Sequence, residues 1–227
     1  MLVTGGKENF QSQQIKVSEV IDLNDPTRTC QNLPDFPFET EGIGGLLDNI
    51  PVVCSGNTCQ GIGQKFEVEW NNEMIGNVDY AASVVIQDGL WITGGNLVGS
   101  KTLLVRPDES VILQGSALPQ TPYLQHHCVV IINAEECMII GGGPDSYQAT
   151  WTYNFKSGLW TRGPDTNVFR WYHACGLFTD LVENKQKVLI AGGAPPGASP
   201  DPNKDSTEIL DFEVANSEWI YGKELDD

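Results

Sequence analysis

A pair of glycines that follows a short apolar run recurs along this chain and limits the folds it can adopt. The pair closes four segments of the sequence: Leu2–Gly6, Leu90–Gly95, Cys137–Gly142 and Val188–Gly193. A fifth segment, Pro51–Gly56, keeps only the second glycine. Counted from the first position of each pair, the copies are 50, 39, 47 and 51 residues apart. A period of roughly 40 to 50 residues indicates one supersecondary unit repeated along the chain.

The residues around each pair predict a unit of four antiparallel strands. A first apolar run such as Tyr80–Ile86 passes through the polar turn Gln87–Gly89 into the second run, which ends at the glycines. Two β-rich runs joined by Asp-Gly indicate a hairpin. A polar loop then leads to a third strand such as Ser206–Phe212, and a fourth strand carries an aromatic residue, Trp160 or Trp219. The apolar runs do not alternate with polar residues, so we expect strands that are covered on both faces.

This order of strands, with Gly-Gly after the second and Trp on the fourth, resembles the kelch-repeat family over essentially the whole chain. The resemblance is clearest in the segments Ile139–Pro164 and Ile190–Gly222. Short segments such as Arg170–Cys175 are similar to those of the cysteine-bearing, secreted kelch proteins of invertebrates. The resemblance implies an all-β fold, a kelch-type β-propeller of four-stranded antiparallel blades. In such blades glycines lie where the backbone turns sharply or another backbone passes close. The residues expected to build the blades are Gly5, Gly6, Gly94, Gly95, Gly141, Gly142, Trp160, Gly192, Gly193 and Trp219.

The repeat divides the chain into five units within one domain, at 1–37, 38–76, 77–119, 120–165 and 166–227. The first unit lacks its innermost strand, because the chain opens directly in the second. An open propeller would leave long unpaired strand edges. We therefore expect the chain to be a fragment of a longer propeller. The alternative is a five-bladed ring in which one blade has three strands.

The charge of the chain excludes some classes of partner. Thirteen Lys and Arg stand against 30 Asp and Glu, for a net charge of −17. Phosphate backbones require a basic patch, so we expect no nucleic-acid partner. No apolar stretch approaches the ~18 residues of a membrane span, and none is expected. The acidic residues are spread along the sequence, which favours a role in solubility over a dedicated site for basic partners.

Six cysteines allow alternative disulfide pairings. Cys54 and Cys59 lie five residues apart across a turn, and we place this pair first. Cys128 has two possible partners: Cys137, across its own hairpin, and Cys175, on the neighbouring inner strand. Bridges would indicate an extracellular, secreted protein. The alternative is a cytoplasmic propeller with buried free cysteines. Cys30 has no obvious partner.

The sequence predicts neither a catalytic residue nor a cofactor nor a metal. The three histidines are His126, His127 and His173, and sequential residues on a strand point to opposite faces, so the first two cannot easily share an ion. The chain has no CxxC pair for zinc. The copper motif of galactose-oxidase-like propellers and the Glu-x3-Asp-x3-His iron motif of plant kelch proteins are also missing. We therefore expect a protein that is not an enzyme, with a propeller enzyme of oxidase or lyase type as an alternative.

The resemblance also implies where a partner would bind. In kelch propellers the loops that enter each first strand share a face with those that leave each second strand. Aromatic residues and arginine dominate interface hot spots. The candidate binding residues on this basis are Arg170, Trp171, Tyr172, Tyr123, His126 and Tyr80. We expect Arg170 to be exposed, whereas Trp171 could equally belong to the core. The resulting hypothesis is a non-catalytic module that holds a protein or glycan partner, with an intracellular substrate adaptor or cytoskeleton-binding domain as the alternative.

Overall fold

The chain folds into β-sheets joined by turns, with one short helix. The computed structural model describes residues 42–98, 101–115, 117–119, 124–143, 148–193 and 205–225, together with the backbone of 2–4, 18–20 and 31–33. The helix, α1 (Asn72–Ile75), is capped by Asn71, whose side chain accepts hydrogen bonds from the N–H groups of Glu73 and Met74. No helix in these ranges has the length and apolar character needed to span a membrane.

Five antiparallel sheets contain all the described strands, and in each sheet the strands lie side by side in chain order. Sheet 1 has three strands and the others have four, as the repeated pattern predicts for a complete unit. Sheet 1 consists of β1 (Leu2–Thr4), β2 (Ser18–Val20) and β3 (Gln31–Leu33). Sheet 2 consists of β4 (Ile43–Leu47), β5 (Ile50–Ser55), β6 (Thr58–Gly61) and β7 (Glu67–Glu69). Sheet 3 consists of β8 (Gly76–Ile86), β9 (Gly89–Leu97), β10 (Thr102–Val105) and β11 (Val111–Gln114). Sheet 4 consists of β12 (Cys128–Asn133), β13 (Glu136–Ile140), β14 (Thr150–Asn154) and β15 (Leu159–Arg162). Sheet 5 consists of β16 (Ala174–Asp180), β17 (Lys185–Ala191), β18 (Thr207–Leu210) and β19 (Ile220–Tyr221).

The first strands of sheets 2 to 5 contact one another in chain order. Strand β4 lies against β8, β8 against β12, and β12 against β16. The described loops that enter β8, β12 and β16 meet at one end of these sheets, where the His126 N–H donates to the Tyr80 carbonyl and the Tyr172 N–H donates to the His126 carbonyl. The fold therefore brings residues that are more than 40 positions apart in the sequence onto a common face.

Three apolar clusters fill the spaces between consecutive sheets. Along β9, Leu90 and Ile92 face the cluster shared with sheet 2, whereas Trp91 between them faces the cluster shared with sheet 4. Along β13, Ile139 faces sheet 3, while Ile140 faces the cluster shared with sheet 5. Successive side chains of a strand point to opposite faces. The unbroken apolar runs of the sequence thus reflect strands that are covered on both sides, as expected.

The cluster between sheets 3 and 4 is built around Trp91, which is completely buried. Its ring stacks on Tyr153 with 5.1 Å between centroids and meets Phe155 edge-on at 5.5 Å. Trp160 of β15 lies on the outer side of the same group, 4.6 Å from Tyr153. In the next unit Trp219 is buried, and its indole N–H donates to the Pro164 carbonyl of the preceding sheet at 3.2 Å. Both tryptophans singled out by the repeat therefore connect one sheet to its neighbour.

Two disulfides link strands of this framework. Cys54–Cys59 joins residues directly opposite each other on β5 and β6, the pair placed first from the sequence. Cys128–Cys175 joins β12 to β16 and so connects sheets 4 and 5. The alternative pair of Cys128 with Cys137 is wrong, because β13 places Cys137 opposite Ile131 and Cys128 opposite Ile140.

Cys137 is a free thiol in the apolar cluster between sheets 3 and 4, where burial raises its pKa. The position of Cys137 on β13 explains why Cys128 forms its disulfide with Cys175 and not with Cys137. Successive residues of β12 alternate between the two faces, so the side chain of Cys128 lies on the face away from Cys137, toward sheet 5. Cys30 lies outside the described residues.

Candidate functional site

Three aromatic rings from three different sheets form a continuous row at the end where the first strands begin. We call Tyr80, His126 and Tyr172 the aromatic row. Each precedes the regular pairing of a first strand, and each is 46 residues from the next. The centroid of the His126 ring is 4.7 Å from that of Tyr80 and 4.0 Å from that of Tyr172. The Tyr172 hydroxyl also lies 3.1 Å from Nε2 of His126.

The backbone holds all three residues in the left-handed region. Their φ angles are 65° for Tyr80, 55° for His126 and 56° for Tyr172. The N–H of His126 donates to the Tyr80 carbonyl at 3.0 Å, and that of Tyr172 donates to the His126 carbonyl at 3.2 Å. A left-handed residue other than glycine costs on the order of 1–3 kcal/mol, and such residues concentrate at functional sites. The same strained position therefore carries a large ring in three successive sheets.

The glycine pairs make room for the loops that carry the row. Gly142 follows β13 and Gly193 follows β17, with φ angles of 76° and 87°. A Cβ atom on Gly142 would lie 2.6 Å from the Gln125 carbonyl oxygen, and one on Gly193 would lie 2.6 Å from the Trp171 carbonyl oxygen. Only glycine permits both the dihedral angle and the contact. Gly94, Gly95, Gly141 and Gly192 also have positive φ, whereas Gly5 and Gly6 lie outside the described residues.

Arg170 does not lie on the surface, and the expectation that it is exposed is wrong. Its side chain is only 1% exposed, and Nη2 is 3.0 Å from Oε1 of Glu208 on β18. The guanidinium also donates to the carbonyls of Gly192 and Ser206 and to the Ser206 hydroxyl. Arg170 is buried because Glu208 itself is fully buried and its carboxylate requires a cation. The pair fastens the loop before β16 to sheet 5, directly beside Tyr172.

Trp171 borders the aromatic row and is partly buried. Its ring lies 5.7 Å from that of His126, and its indole N–H points to the Gly143 carbonyl at 3.4 Å. The two tyrosines are more open, with 44% of Tyr80 and 63% of Tyr172 exposed. Of the other predicted binding residues, Tyr123 lies outside the described residues. Four of the predicted binding residues thus lie together, Tyr80, His126, Trp171 and Tyr172, whereas Arg170 is buried.

A second set of side chains, made of amides, forms a hydrogen-bonded row that ends next to His126 in the chain. The Asn96 amide N–H donates to Oδ1 of Asn77 at 2.9 Å, and the Gln125 amide N–H donates to Oδ1 of Asn96 at 2.9 Å. We call Asn77, Asn96 and Gln125 the amide row. It crosses from sheet 3 to the loop that enters sheet 4, and Gln125 is the neighbour of His126 in the chain. The surface therefore combines ring faces with hydrogen-bonding amides.

Two buried histidines lie immediately behind the row. His127 and His173 follow His126 and Tyr172 in sequence, and they are 7% and 8% exposed. Burial lowers the pKa of His127 to about 3, with smaller contributions from His173 and His126. Burial also lowers the pKa of His173 to about 4, helped by the charge of Arg170. Weak backbone interactions oppose both shifts only in part, so both rings are neutral at neutral pH.

The Cys128–Cys175 disulfide lies close behind the same surface. Cys128 is two residues after His126, and Cys175 is three residues after Tyr172. Its Cα atoms are 6.0 Å apart, within the range usual for disulfides. The bridge therefore fixes the separation of the two strands that carry His126 and Tyr172.

A groove of about 780 Å³ lies between sheets 4 and 5, and its lining includes none of the residues of the aromatic row. It is lined by residues of all four strands of sheet 4, by the end of β18 and by the turn before β19, among them Ile132, Met138, Phe212 and Glu218. Neither strongly shifted histidine lies in it. Within the described ranges, no three His, Cys, Asp or Glu side chains are grouped as a metal site would require.

Comparison with known proteins supports the fold. No family model and no curated protein matches the chain. Among solved structures, the fold is similar to that of YjhT, with a TM-score of 0.69 and 10% sequence identity. The match covers 93% of this chain and 78% of that chain. At this identity the likeness shows a shared fold and nothing about function.

Two features of the site were not predicted from the sequence: the amide row and the burial of Glu208 against Arg170. Asn96 directly follows a glycine pair and Gln125 precedes a predicted strand, and both lie in loops assigned to the binding face. That placement was the available signal for these amides. Glu208 offered a different signal, a carboxylate inside an apolar strand, which requires a buried cationic partner.

Proposed function

We propose that the chain is a kelch-type β-propeller that acts as a non-catalytic binding module, holding a protein or glycan partner on the surface formed by the aromatic row. The supporting observation is the contact between the rings of Tyr80, His126 and Tyr172, each at a left-handed position just before the regular pairing of a first strand. Strain repeated at one position in three sheets is expected where a surface is shaped for recognition. Tyrosine and tryptophan are also the residues that most often dominate binding energy.

The proposed location is extracellular. Two disulfides support this location, because such bridges persist in oxidising compartments and are rare in the cytosol. The cytoplasmic adaptor alternative requires reduced cysteines. The disulfide between Cys128 of sheet 4 and Cys175 of sheet 5 disagrees with that requirement.

A binding role also fits the acid–base properties of the histidines behind the row. A general base works best when its pKa is near the operating pH. His127 and His173 have pKa values of about 3 and about 4, so they are weak bases at neutral pH. Their neutral, buried state suits a rigid support for the rings more than proton transfer.

The test uses matched tyrosine variants. Tyr172→Ala removes a ring of the row that is 63% exposed, and Tyr221→Ala removes a ring that is 64% exposed on the outermost strand β19. Both variants lose similar exposed surface, so a difference between them reports position. The wild type and both variants are applied to an array of oligosaccharides and extracellular protein domains.

Array members that bind the wild type should bind Tyr172→Ala at least about tenfold more weakly, a loss of ~1.4 kcal/mol or more in binding free energy. Loss of an exposed aromatic contact at an interface accounts for a change of this size. Tyr221→Ala should bind as the wild type does. Binding that survives Tyr172→Ala and fails with Tyr221→Ala would refute the proposed surface. An array on which nothing retains the wild type would count against a binding module.

A further inference from the structure

The amide row has hydrogen-bonding groups that no described residue uses, and Asn96 in it is exposed. Asn96 uses one amide N–H on Asn77, and Gln125 uses one on Asn96. Among the described residues, nothing bonds to the second N–H of either group or to the side-chain carbonyl of Gln125. Carboxamides offer donors and acceptors side by side. A hydroxyl is also both donor and acceptor, so a row of amides suits a ligand that carries several hydroxyls.

The rings suit the other side of such a ligand. The face of an aromatic ring carries partial negative charge and attracts the positive edge of a C–H bond. A sugar ring presents C–H bonds on one face and hydroxyls around its rim. Tyr80 and Tyr172 provide exposed rings on either side of His126, tilted to its ring by 54° and 39°, and Gln125 of the amide row is the chain neighbour of His126. Exposed rings and nearby amides match these two features of a sugar.

Among the described residues, the segments that carry the two rows provide little for a charged ligand. These segments are Gly76–Ala81, Gly94–Val98, Leu124–Cys128 and Val168–His173, and their formal charges at pH 7 are Asp79 and Arg170. Arg170 is buried and paired with Glu208. Asp79 accepts a hydrogen bond from the Gly56 N–H at 2.9 Å. The net charge of −17 further repels an anionic ligand on approach.

From these three observations we infer that the partner recognised by the row is a neutral saccharide, stacked on Tyr80, His126 and Tyr172 and hydrogen-bonded by Asn77, Asn96 and Gln125. This inference rests on the proposed binding function and names the class of its ligand. It assigns the tyrosines to stacking and the amides to the choice among hydroxyl arrangements. It also excludes carboxylated and sulfated sugars as preferred ligands.

The experiment compares neutral and anionic probes on the intact chain. Neutral oligosaccharides based on glucose, galactose, mannose and N-acetylglucosamine are arrayed beside sulfated and carboxylated counterparts, and those that bind are titrated by calorimetry. The variants are Gln125→Ala for the amide row, Tyr172→Ala for the rings and Tyr221→Ala as the control. Far-ultraviolet circular dichroism and the unfolding midpoint verify that each variant is folded.

We expect a neutral oligosaccharide to bind, and its sulfated counterpart to bind at least about tenfold more weakly. Gln125→Ala should weaken binding about fivefold, as loss of one net hydrogen bond worth ~1 kcal/mol implies. Tyr172→Ala should abolish measurable binding, with Tyr221→Ala unchanged. Raising the salt concentration from 0.05 to 0.5 M should leave the affinity within about twofold, since salt screens only charged contacts.

Tighter binding of the sulfated or carboxylated probe would overturn the inference. So would an array on which no neutral sugar binds while a protein domain binds in a Tyr172-dependent way, but that outcome would leave the binding function standing. A sugar that binds equally well to the wild type, Tyr172→Ala and Gln125→Ala would refute both the inference and the proposed surface.

Discussion

Mild acid should destabilise the folded chain, because two histidines behind the aromatic row are buried in their neutral form. Burial is the main cause of the low pKa values of His127 and His173, and no carboxylate contributes to either shift. Interactions with His173 and His126 further lower the pKa of His127, and the charge of Arg170 further lowers the pKa of His173. Each of these interactions opposes protonation. The unfolded chain protonates both rings readily, whereas the folded chain does not.

The size of the effect follows from the pKa values. Folding lowers the pKa from 6.5 to about 3 for His127 and to about 4 for His173. Between pH 6.5 and these values the unfolded state binds more protons than the folded state, so the free energy of unfolding falls as the pH falls. Above pH 6.5 the two histidines no longer reduce stability. For each ring, the free energy of unfolding falls by ~1.4 kcal/mol per pH unit below 6.5. At pH 5 the loss is about 2 kcal/mol for each ring and ~4 kcal/mol for both. Typical domains have only ~5–15 kcal/mol of stability.

Urea unfolding at pH 7, 6 and 5 measures this loss. The variants His127→Gln and His173→Gln each remove one protonation site, so each should reduce the difference between pH 7 and pH 5 by about 2 kcal/mol, whatever its own effect on stability. Asp180, whose pKa is lowered to about 2 first by its hydrogen bond to Lys187, loses its contribution only below its ordinary pKa of 3.8. It therefore does not contribute in this pH window.

A free energy of unfolding that stays within about 1 kcal/mol between pH 7 and pH 5 would refute the argument, because two neutral buried imidazoles require a larger change. Full pH dependence in both glutamine variants would refute it as well. That result would place the titrating groups elsewhere.

Two further predictions concern the framework behind the row. Glu208→Gln leaves the buried Arg170 charge without its partner and should lower the free energy of unfolding in urea by ~3–5 kcal/mol; a loss below about 1 kcal/mol would mean that the pair is solvated. Replacing both Cys128 and Cys175 with serine removes a bridge that spans 47 residues, and should cost about 4 kcal/mol by chain entropy. Equal urea midpoints for this double variant and the wild type would contradict a formed disulfide.

The sequence predicts the strands well because their signals are local. Each hairpin has its turn, its two apolar runs and its glycines within about 20 residues, and each run is apolar at every position because sheets cover both of its faces. The residues of the row were also predictable as binding candidates, since Tyr80 opens a predicted first strand and His126 and Tyr172 lie where two others begin. Their contact required the fold, because it depends on the side-by-side order of three sheets.

The errors arise where one residue depends on another far along the chain. A lone arginine in a loop carries no local sign of burial, and Arg170 is buried only because Glu208 lies 38 residues later on β18. The choice between Cys137 and Cys175 as the partner of Cys128 depends on strand register, and a shift of one residue moves a side chain to the other face. Neither relation is visible in a short window of sequence.

The core of the fold and the surface with the two rows are formed by different residues of each unit. The clusters between sheets hold the fold with Trp91, Ile139, Ile140 and their neighbours, none of which lies in the rows. The aromatic and amide rows lie on loops that are fastened from below by glycine contacts, by the Arg170–Glu208 pair and by the disulfide. Substitution of an exposed ring or amide should therefore remove contacts to the proposed ligand and few to the core. Such positions can change recognition at small cost in stability, whereas the glycines beneath them cannot, because any Cβ there meets the backbone of the loop that carries the ring.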